Sequence, residues 1–281
     1  MTRPDRCLIC GAPDAQLLLA ADQPDSYERR VGVTEDGFAR AWVRCTGCGF
    51  HYSRYSRDPQ ILDRLYEDGY RDAAAAWRGA TTEEVFRKVI ALPDDQSETR
   101  ARIRWIKQGI AQAQGADLIH WPAAPWRMVD VGGATGIMAY EFRDSQWLPH
   151  VVDPAPEGRF VEAYGIPYIQ APFRAGLLDA PVQMASLVYV LEHLRDPEQA
   201  LRDVASGLAP DGLVFIEVPD ALAFGRKPAE DDIFNSCHLW LFDPVSLLAL
   251  LARTGFEALQ LARIRTIRGH YTLMVLAKAS A

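Results

Sequence analysis

Residues 128–140 read Met-Val-Asp-Val-Gly-Gly-Ala-Thr-Gly-Ile-Met-Ala-Tyr, and no other stretch of the chain restricts its fold as tightly. A short apolar run contains Asp130, three glycines follow within five positions, and a pattern able to continue as a helix comes next. A buried parallel strand that turns sharply into a helix needs this order. Glycine supplies the backbone freedom for the turn and puts no Cβ between chain and ligand. The spacing is not the G-x-G-x-x-G of dinucleotide-binding proteins. Gly132, Gly133 and Gly136 are candidate cofactor contacts, with Asp130 behind them; an ordinary tight turn is the alternative reading.

The residues that follow repeat a strand–helix rhythm. A helix is expected over 137–143 and a second strand at His150-Val-Val-Asp153-Pro154. Asp153 lies 23 residues after Asp130, where an acid at a strand end can accept hydrogen bonds from both hydroxyls of a ribose. A third strand is expected over 168–170, and the loop 171–173 is expected to run beside an adenine. Residues 185–197 read as an apolar fourth strand ending in Glu192-His193-Leu-Arg-Asp196-Pro197. A helix over 196–209, a turn and fifth strand over 208–220, a helix over 242–255, and strands over 256–262 and 270–277 complete the pattern.

The segment Asp130-x-Gly132-x-Ala134-x-Gly136 resembles the D/E-x-G-x-G-x-G motif of the class I S-adenosylmethionine-dependent methyltransferases, with alanine at the middle glycine. The Val-Leu-Glu192-His193-x-x-Asp196-Pro197 stretch is similar to one found in many small-molecule members, although Ser186 stands where an aspartate is common. The resemblance covers roughly residues 126–277 and implies a Rossmann-like, seven-stranded α/β fold. It also implies S-adenosylmethionine as cofactor, held by Asp130, Gly132, Gly133, Gly136, Asp153, Pro154 and Glu192. Glu192 and His193 could touch substrate or fix their loop.

Four of the five cysteines fall in two matching units, Cys7-Leu-Ile-Cys10-Gly11 and Cys45-Thr-Gly-Cys48-Gly49. Each unit aims two thiolates at one point, and together they make a tetrahedral set for a structural zinc ion with no position left for chemistry. Disulfides or a redox pair are the alternatives. The 34 residues between the units carry a strand-like Ala-Arg-Ala-Trp-Val-Arg, and Cys48-Gly-Phe-His-Tyr continues as a strand. His51 is a possible further ligand beside a quartet already complete. A small zinc-ribbon-like module over 1–56 is therefore expected, then helical linker or cap segments over 57–125 and the methyltransferase domain over 126–281. Within 57–125, helices are expected from Asp58-Pro59 and over 82–92 and 97–114, where Ser97 opens the last and Ile103, Ile106 and Ile110 share one face. They either cover the site mouth or bridge the modules.

Two C-x-x-C-G units ahead of such a domain resemble the sugar C-methyltransferases, which act on nucleotide-linked keto sugars. Phe234-Asn-Ser-Cys-His238-Leu-Trp-Leu-Phe242 is similar to that family's Tyr-x-x-His segment ahead of a phenylalanine. His238 matches the histidine; Asn235 occupies the tyrosine position, and the family's long C-terminal domain has no counterpart within these 281 residues. The resemblance implies a small-molecule acceptor, methylated on carbon, nitrogen or oxygen. A histidine near its ordinary pKa suits removal of the acceptor's proton. His238 is the first candidate and His270 the second; a hydrogen-bonded structural role is the competing reading. Cys237 reads as a buried apolar filler.

Composition trims the alternatives. A formal charge of −7 argues against a broad nucleic-acid surface, and no apolar stretch is long enough to span a bilayer. The first residues lack the apolar core of a signal peptide, so a cytoplasmic protein is expected. A zinc-containing ribosomal RNA methyltransferase would have to rely on Arg40, Arg44, Arg54 and Arg57 around the second cysteine unit. A non-catalytic binding module would find its support in Ala134 and Ser186.

Overall fold

The computed structural model describes residues 6–55 and 80–280, so the helix expected from Asp58 lies outside the described residues. Two sheets organise the rest. The larger uses β4 (Trp126–Val131), β5 (Trp147–Asp153), β6 (Tyr168–Gln170), β7 (Val182–Val188), β8 (Leu208–Pro219), β10 (Phe256–Arg265) and β11 (Tyr271–Ala279). Its order is β10-β11-β8-β7-β4-β5-β6, with only β11 running against its neighbours. This is the mixed seven-stranded sheet of the Rossmann-like class I methyltransferase fold. The order in which successive strands are laid down reverses between the parallel β4 and β7, whose carboxyl ends lie side by side. In open α/β sheets ligands collect at such a switch point.

The helices sit where their apolar periodicity puts them. Helix α3 (Glu98–Gly115), capped by the Ser97 side chain on Arg100 N, buries Ile103, Ile106 and Ile110 against Met128, Met184 and Phe215. Helix α2 (Thr82–Ile90) starts at a reciprocal Thr81–Glu84 capping box and sinks Phe86 among Val151, Val161 and Tyr168. The opposite face receives α5 (Pro197–Gly207) and α6 (Pro244–Arg253) through Leu201, Val204, Leu247 and Leu250. Between them on the first face, α4 (Ile137–Phe142) leaves the glycine turn. Among the described residues no helix is long and apolar enough to cross a membrane.

The smaller sheet has the order β1-β2-β3-β9, from β1 (Ala15–Ala21), β2 (Arg40–Cys45), β3 (His51–Tyr55) and β9 (Trp240–Leu241). A five-residue helix α1 (Ser26–Arg30) lies between β1 and β2. Strand β9 is the departure from the expected pattern. It comes from the segment ahead of α6 and pairs antiparallel with β3, placing Trp240 opposite Tyr52. A two-residue strand carries no periodicity that a sequence can display. Packing holds it in place: Phe50 is fully buried and stacks on Trp240 at 6.0 Å and against Phe242 at 5.4 Å between ring centroids. Phe50 and Phe242 belong to the same continuous core as Val214, Ile216 and Leu250, so both sheets share one interior.

That shared interior makes Phe242 a test of the packing. Phe242→Ala should lower stability by about 3–5 kcal/mol in urea unfolding followed by circular dichroism. A loss below about 1 kcal/mol would show that the ring does not join the two sheets.

Candidate functional site

At the end of β4 the chain passes through Gly132 at φ 67°, Ala134 at φ 43° and Gly136 at φ 65°, all left-handed. Ala134 occupies the middle-glycine position of the motif and adopts the backbone conformation that a glycine there would take, at a steric cost of about 1–2 kcal/mol. The need for glycine at 132 is set by the protein itself, since an added Cβ would meet the Val190 side chain at 2.6 Å. At 133 a Cβ would run into the Asp130 carboxyl. Gly158 was not among the sequence candidates. A Cβ there would lie 2.0 Å from the Ala134 carbonyl oxygen, a contact between distant segments that no local pattern reveals.

Asp130 and Asp153 hold this turn from below and from the side. Asp130 is buried and accepts a 2.6 Å hydrogen bond from Ser186 Oγ, its register partner on β7. The aspartate more common at position 186 would set a second carboxyl against the first, so serine has a structural reason here. Asp153, buried at the end of β5, accepts from Ala134 N at 2.9 Å and from Ala155 N at 2.8 Å, one bond to each oxygen. It thereby ties the glycine turn to the following loop, where Pro154 is exposed.

The adjacent strand end carries the other polar group. Tyr189 leaves β7 at φ 55°, a strained conformation for a tyrosine, and the chain turns through Val190 into residues 191–193. Glu192 is fully buried, and burial pushes its carboxyl up to about 8. His193 Nδ1 donates to Cys237 O at 2.8 Å, and His238 Nδ1 donates to Ile233 O at 2.7 Å. Both acceptors are backbone carbonyls, so each neutral ring has its proton on Nδ1 and its lone pair on Nε2. The two rings lie 4.8 Å apart, and His193 Nε2 is 3.7 Å from Glu192 Oε1. Burial lowers His238 below the ordinary imidazole value, which keeps the ring neutral.

The residues around His238 mostly serve the seam with the smaller sheet. Asn235, at the tyrosine position of the sugar C-methyltransferase segment, accepts from Cys237 N and donates to Asp232 O, shaping the loop. Ser236 donates from both N and Oγ to Asp25. Cys237 is buried, and that burial pushes its thiol up. His270, by contrast, is not brought to this cluster. It sits half-buried in the β10–β11 turn, donates its backbone N–H to Thr266 Oγ1, and is surrounded electrostatically by Arg268, Lys227, Asp231 and Glu98.

The four N-terminal cysteines also converge. Cys7 and Cys48 sulfurs lie 3.4 Å apart, Cys10 and Cys45 sulfurs 3.5 Å apart, and all four are within 4.8 Å of one another as free thiols. Zn–S bonds of about 2.3 Å separate tetrahedral sulfurs by about 3.8 Å, so the spacing fits such an ion. Gly11 and Gly49 follow the knuckles at φ 72° and 80°, and their N–H groups donate back to Cys7 O and Cys45 O. Burial works against the Cys45 thiolate, but the Cys48 N–H, the Cys10 thiol and further donors outweigh it and hold the group down to about 7.

A seven-stranded sheet in this order, with a glycine turn and a strand-end acid at its switch point, defines a class I methyltransferase fold. Residues 79–261, more than half of the chain, match the methyltransferase domain family, and the chain belongs to it. Among solved structures, it is similar to the 1,6-didemethyltoxoflavin-N1-methyltransferase of Burkholderia thailandensis with bound 1,6-didemethyltoxoflavin and S-adenosylhomocysteine. That likeness has a TM-score of 0.53 at 16% identity and covers 87% of this chain and 96% of that one. It is also similar to the magnesium protoporphyrin IX methyltransferase of Synechocystis PCC 6803 with bound SAM, with a TM-score of 0.51, 13% identity, and 80% and 98% coverage. At such identities the likeness is one of fold. No curated protein matches the sequence.

The buried Ser186–Asp130 bond offers a direct check of how the turn is supported. Ser186→Ala should cost about 1–3 kcal/mol, because it leaves a buried carboxyl short of a partner. Unchanged urea stability in that variant would remove Ser186 from the support of the turn.

Proposed function

We propose that the chain is an S-adenosylmethionine-dependent methyltransferase acting on a small metabolite. The acceptor class we assign is a nucleotide-linked sugar or a related polysaccharide or secondary-metabolite precursor. In this reading residues 1–56 form a module stabilised by a structural zinc ion on Cys7, Cys10, Cys45 and Cys48. Residues 57–125 are a helical linker or cap segment, of which 57–79 lie outside the described residues and α2 and α3 pack on the larger sheet, and residues 126–281 are the methyltransferase domain, which lends β9 to the first module.

The observation that carries the reading is the bond from Ala134 N to Asp153, which joins the glycine turn to the strand-end acid at the carboxyl edge of the larger sheet. Backbone groups at Gly132, Gly133 and Gly136 would face the cofactor above Asp130. Asp153 would accept from the ribose hydroxyls, beside Pro154, and the loop carrying Glu192 would close the adjacent edge. S-adenosylmethionine supplies an electrophilic methyl group. What the chain must add is alignment of the acceptor and removal of any proton it carries. His238, neutral and with its lone pair on Nε2, suits that second task, and its place in the Glu192–His193 cluster favours it over His270. The acceptor class rests on the resemblance of residues 234–242, and the two similar structures are of enzymes named for small-molecule acceptors.

The competing readings have less behind them. Of the arginines an RNA substrate would need, Arg40 is buried and paired with Asp25 and Glu28, and Arg54 is turned onto Pro13 O and Tyr52. Arg44 is exposed, and Arg57 lies outside the described residues. Ala134 and Ser186, the departures that favour a non-catalytic module, both have structural accounts within the turn.

Asp153→Ala should weaken S-adenosylmethionine binding by about 1.5–3 kcal/mol in calorimetry, the worth of hydrogen bonds to a charged group. Wild-type affinity in a folded Asp153→Ala protein would take the residue out of the cofactor site.

A further inference from the structure

Glu192 presents an unanswered problem of charge. Its side chain is 0% exposed, and neither carboxyl oxygen has a hydrogen-bond partner among the described residues. Burying an unpaired carboxyl costs several kcal/mol, and buried polar groups left without partners are rare enough to demand a cause. The charged residue that acts on it, Glu217, is negative as well and is itself paired with Arg102. Reaching Glu192 from two sides are nitrogen donors: His193 on the same turn and His238 from the loop ahead of β9. One donor atom from each of the three residues lies within 4.8 Å of the others. Each imidazole is anchored through Nδ1 to a backbone carbonyl, the support that metal-binding histidines characteristically have, since it fixes the ring and leaves Nε2 as the ligand.

The geometry points to a second metal site, in which Glu192, His193 and His238 hold one divalent first-row transition ion at the carboxyl edge of the seven-stranded sheet. Two imidazoles and one carboxylate select ions such as zinc, iron, manganese or cobalt over magnesium and calcium, which prefer all-oxygen sets. The set is prebuilt. Leu239 N donates to Glu192 O at 2.8 Å, and Arg40 and Trp42 both donate to Phe234 O, so the loop bearing His238 is pinned at either end. Three ligands among the described residues are fewer than the four of the cysteine quartet and leave room for an exogenous ligand. Metal binding here stands without the methyltransferase reading. Its catalytic consequence rests on that reading: an oxygen or nitrogen of the acceptor would take an open position and pass its proton more readily to solvent water. In the loaded protein, His238 then acts through the ion instead of taking the proton itself.

The test uses the full chain after dialysis against a weak chelator, titrated with Co²⁺ and followed by visible absorption and calorimetry. Binding at this site should give the weak ligand-field bands of a nitrogen–oxygen set without sulfur-to-cobalt charge transfer, whereas cobalt in the cysteine quartet shows that charge transfer strongly. Glu192→Gln should weaken the charge-transfer-free ion by roughly 100-fold or more and leave the cysteine-bound ion in place. His193→Gln gives the same reading should Glu192→Gln fail to fold. A wild-type protein that binds cobalt only with charge transfer, or folded variants that bind the other ion unchanged, would overturn the site. Calorimetry with S-adenosylmethionine on the same samples separates the two proposals, because the ion can bind whether or not the cofactor does.

Discussion

Leu239 gives one backbone group to each half of the molecule. Its carbonyl accepts from Ser53 N at 2.9 Å on the edge of the smaller sheet, and its N–H donates to Glu192 O at 2.8 Å at the end of β7. The segment 233–242 is thereby fixed between the cysteine-bearing module and the carboxyl edge of the larger sheet. The position of His238 at the site follows from that placement. Asp25, Arg40, Trp42 and Tyr55 of the N-terminal part all bond to Phe234 or Ser236, and none of them reaches the glycine turn. The N-terminal part acts as the mould for the loop that carries His238.

The opposite side of the site depends on chain direction alone. Parallel β4, β5 and β7 bring Asp130, Asp153 and Glu192 to one edge from positions 23 and 39 residues apart. Asp153 then converts proximity into rigidity by bonding Ala134 N and Ala155 N. The strained φ of Ala134 and of Tyr189 falls at this edge, where surrounding contacts hold both residues.

The seven-stranded sheet was legible because its signals are local. The apolar run into Asp130, the capping residue Ser97, and the Pro–Asp–Gly at 210–212 act within a few positions of one another. There β8 runs unbroken from Leu208, but its pairing with β7 skips residues 209–212 and Asp211 takes φ 58°, so the expected turn survives as an irregularity within the strand. The cysteine spacing was equally readable. Strand β9, the contact of Gly158 with Ala134, and the convergence of His193 with His238 were not. Each depends on residues dozens to nearly two hundred positions apart, and no periodicity encodes such a meeting. For the same reason the sequence ranked His238 ahead of His270 only through the matched segment, whereas the structure parts them outright, one inside the Glu192 cluster and the other in a hairpin turn.

The central claim is that the edge formed by the glycine turn and Asp153 is the cofactor site. Hydrogen exchange with and without S-adenosylhomocysteine tests it most directly. The account predicts slowed exchange at the amides of residues 132–137 and 153–158, with the cysteine module little changed. Binding that leaves those amides unprotected, or no binding at all in a folded protein, would contradict it.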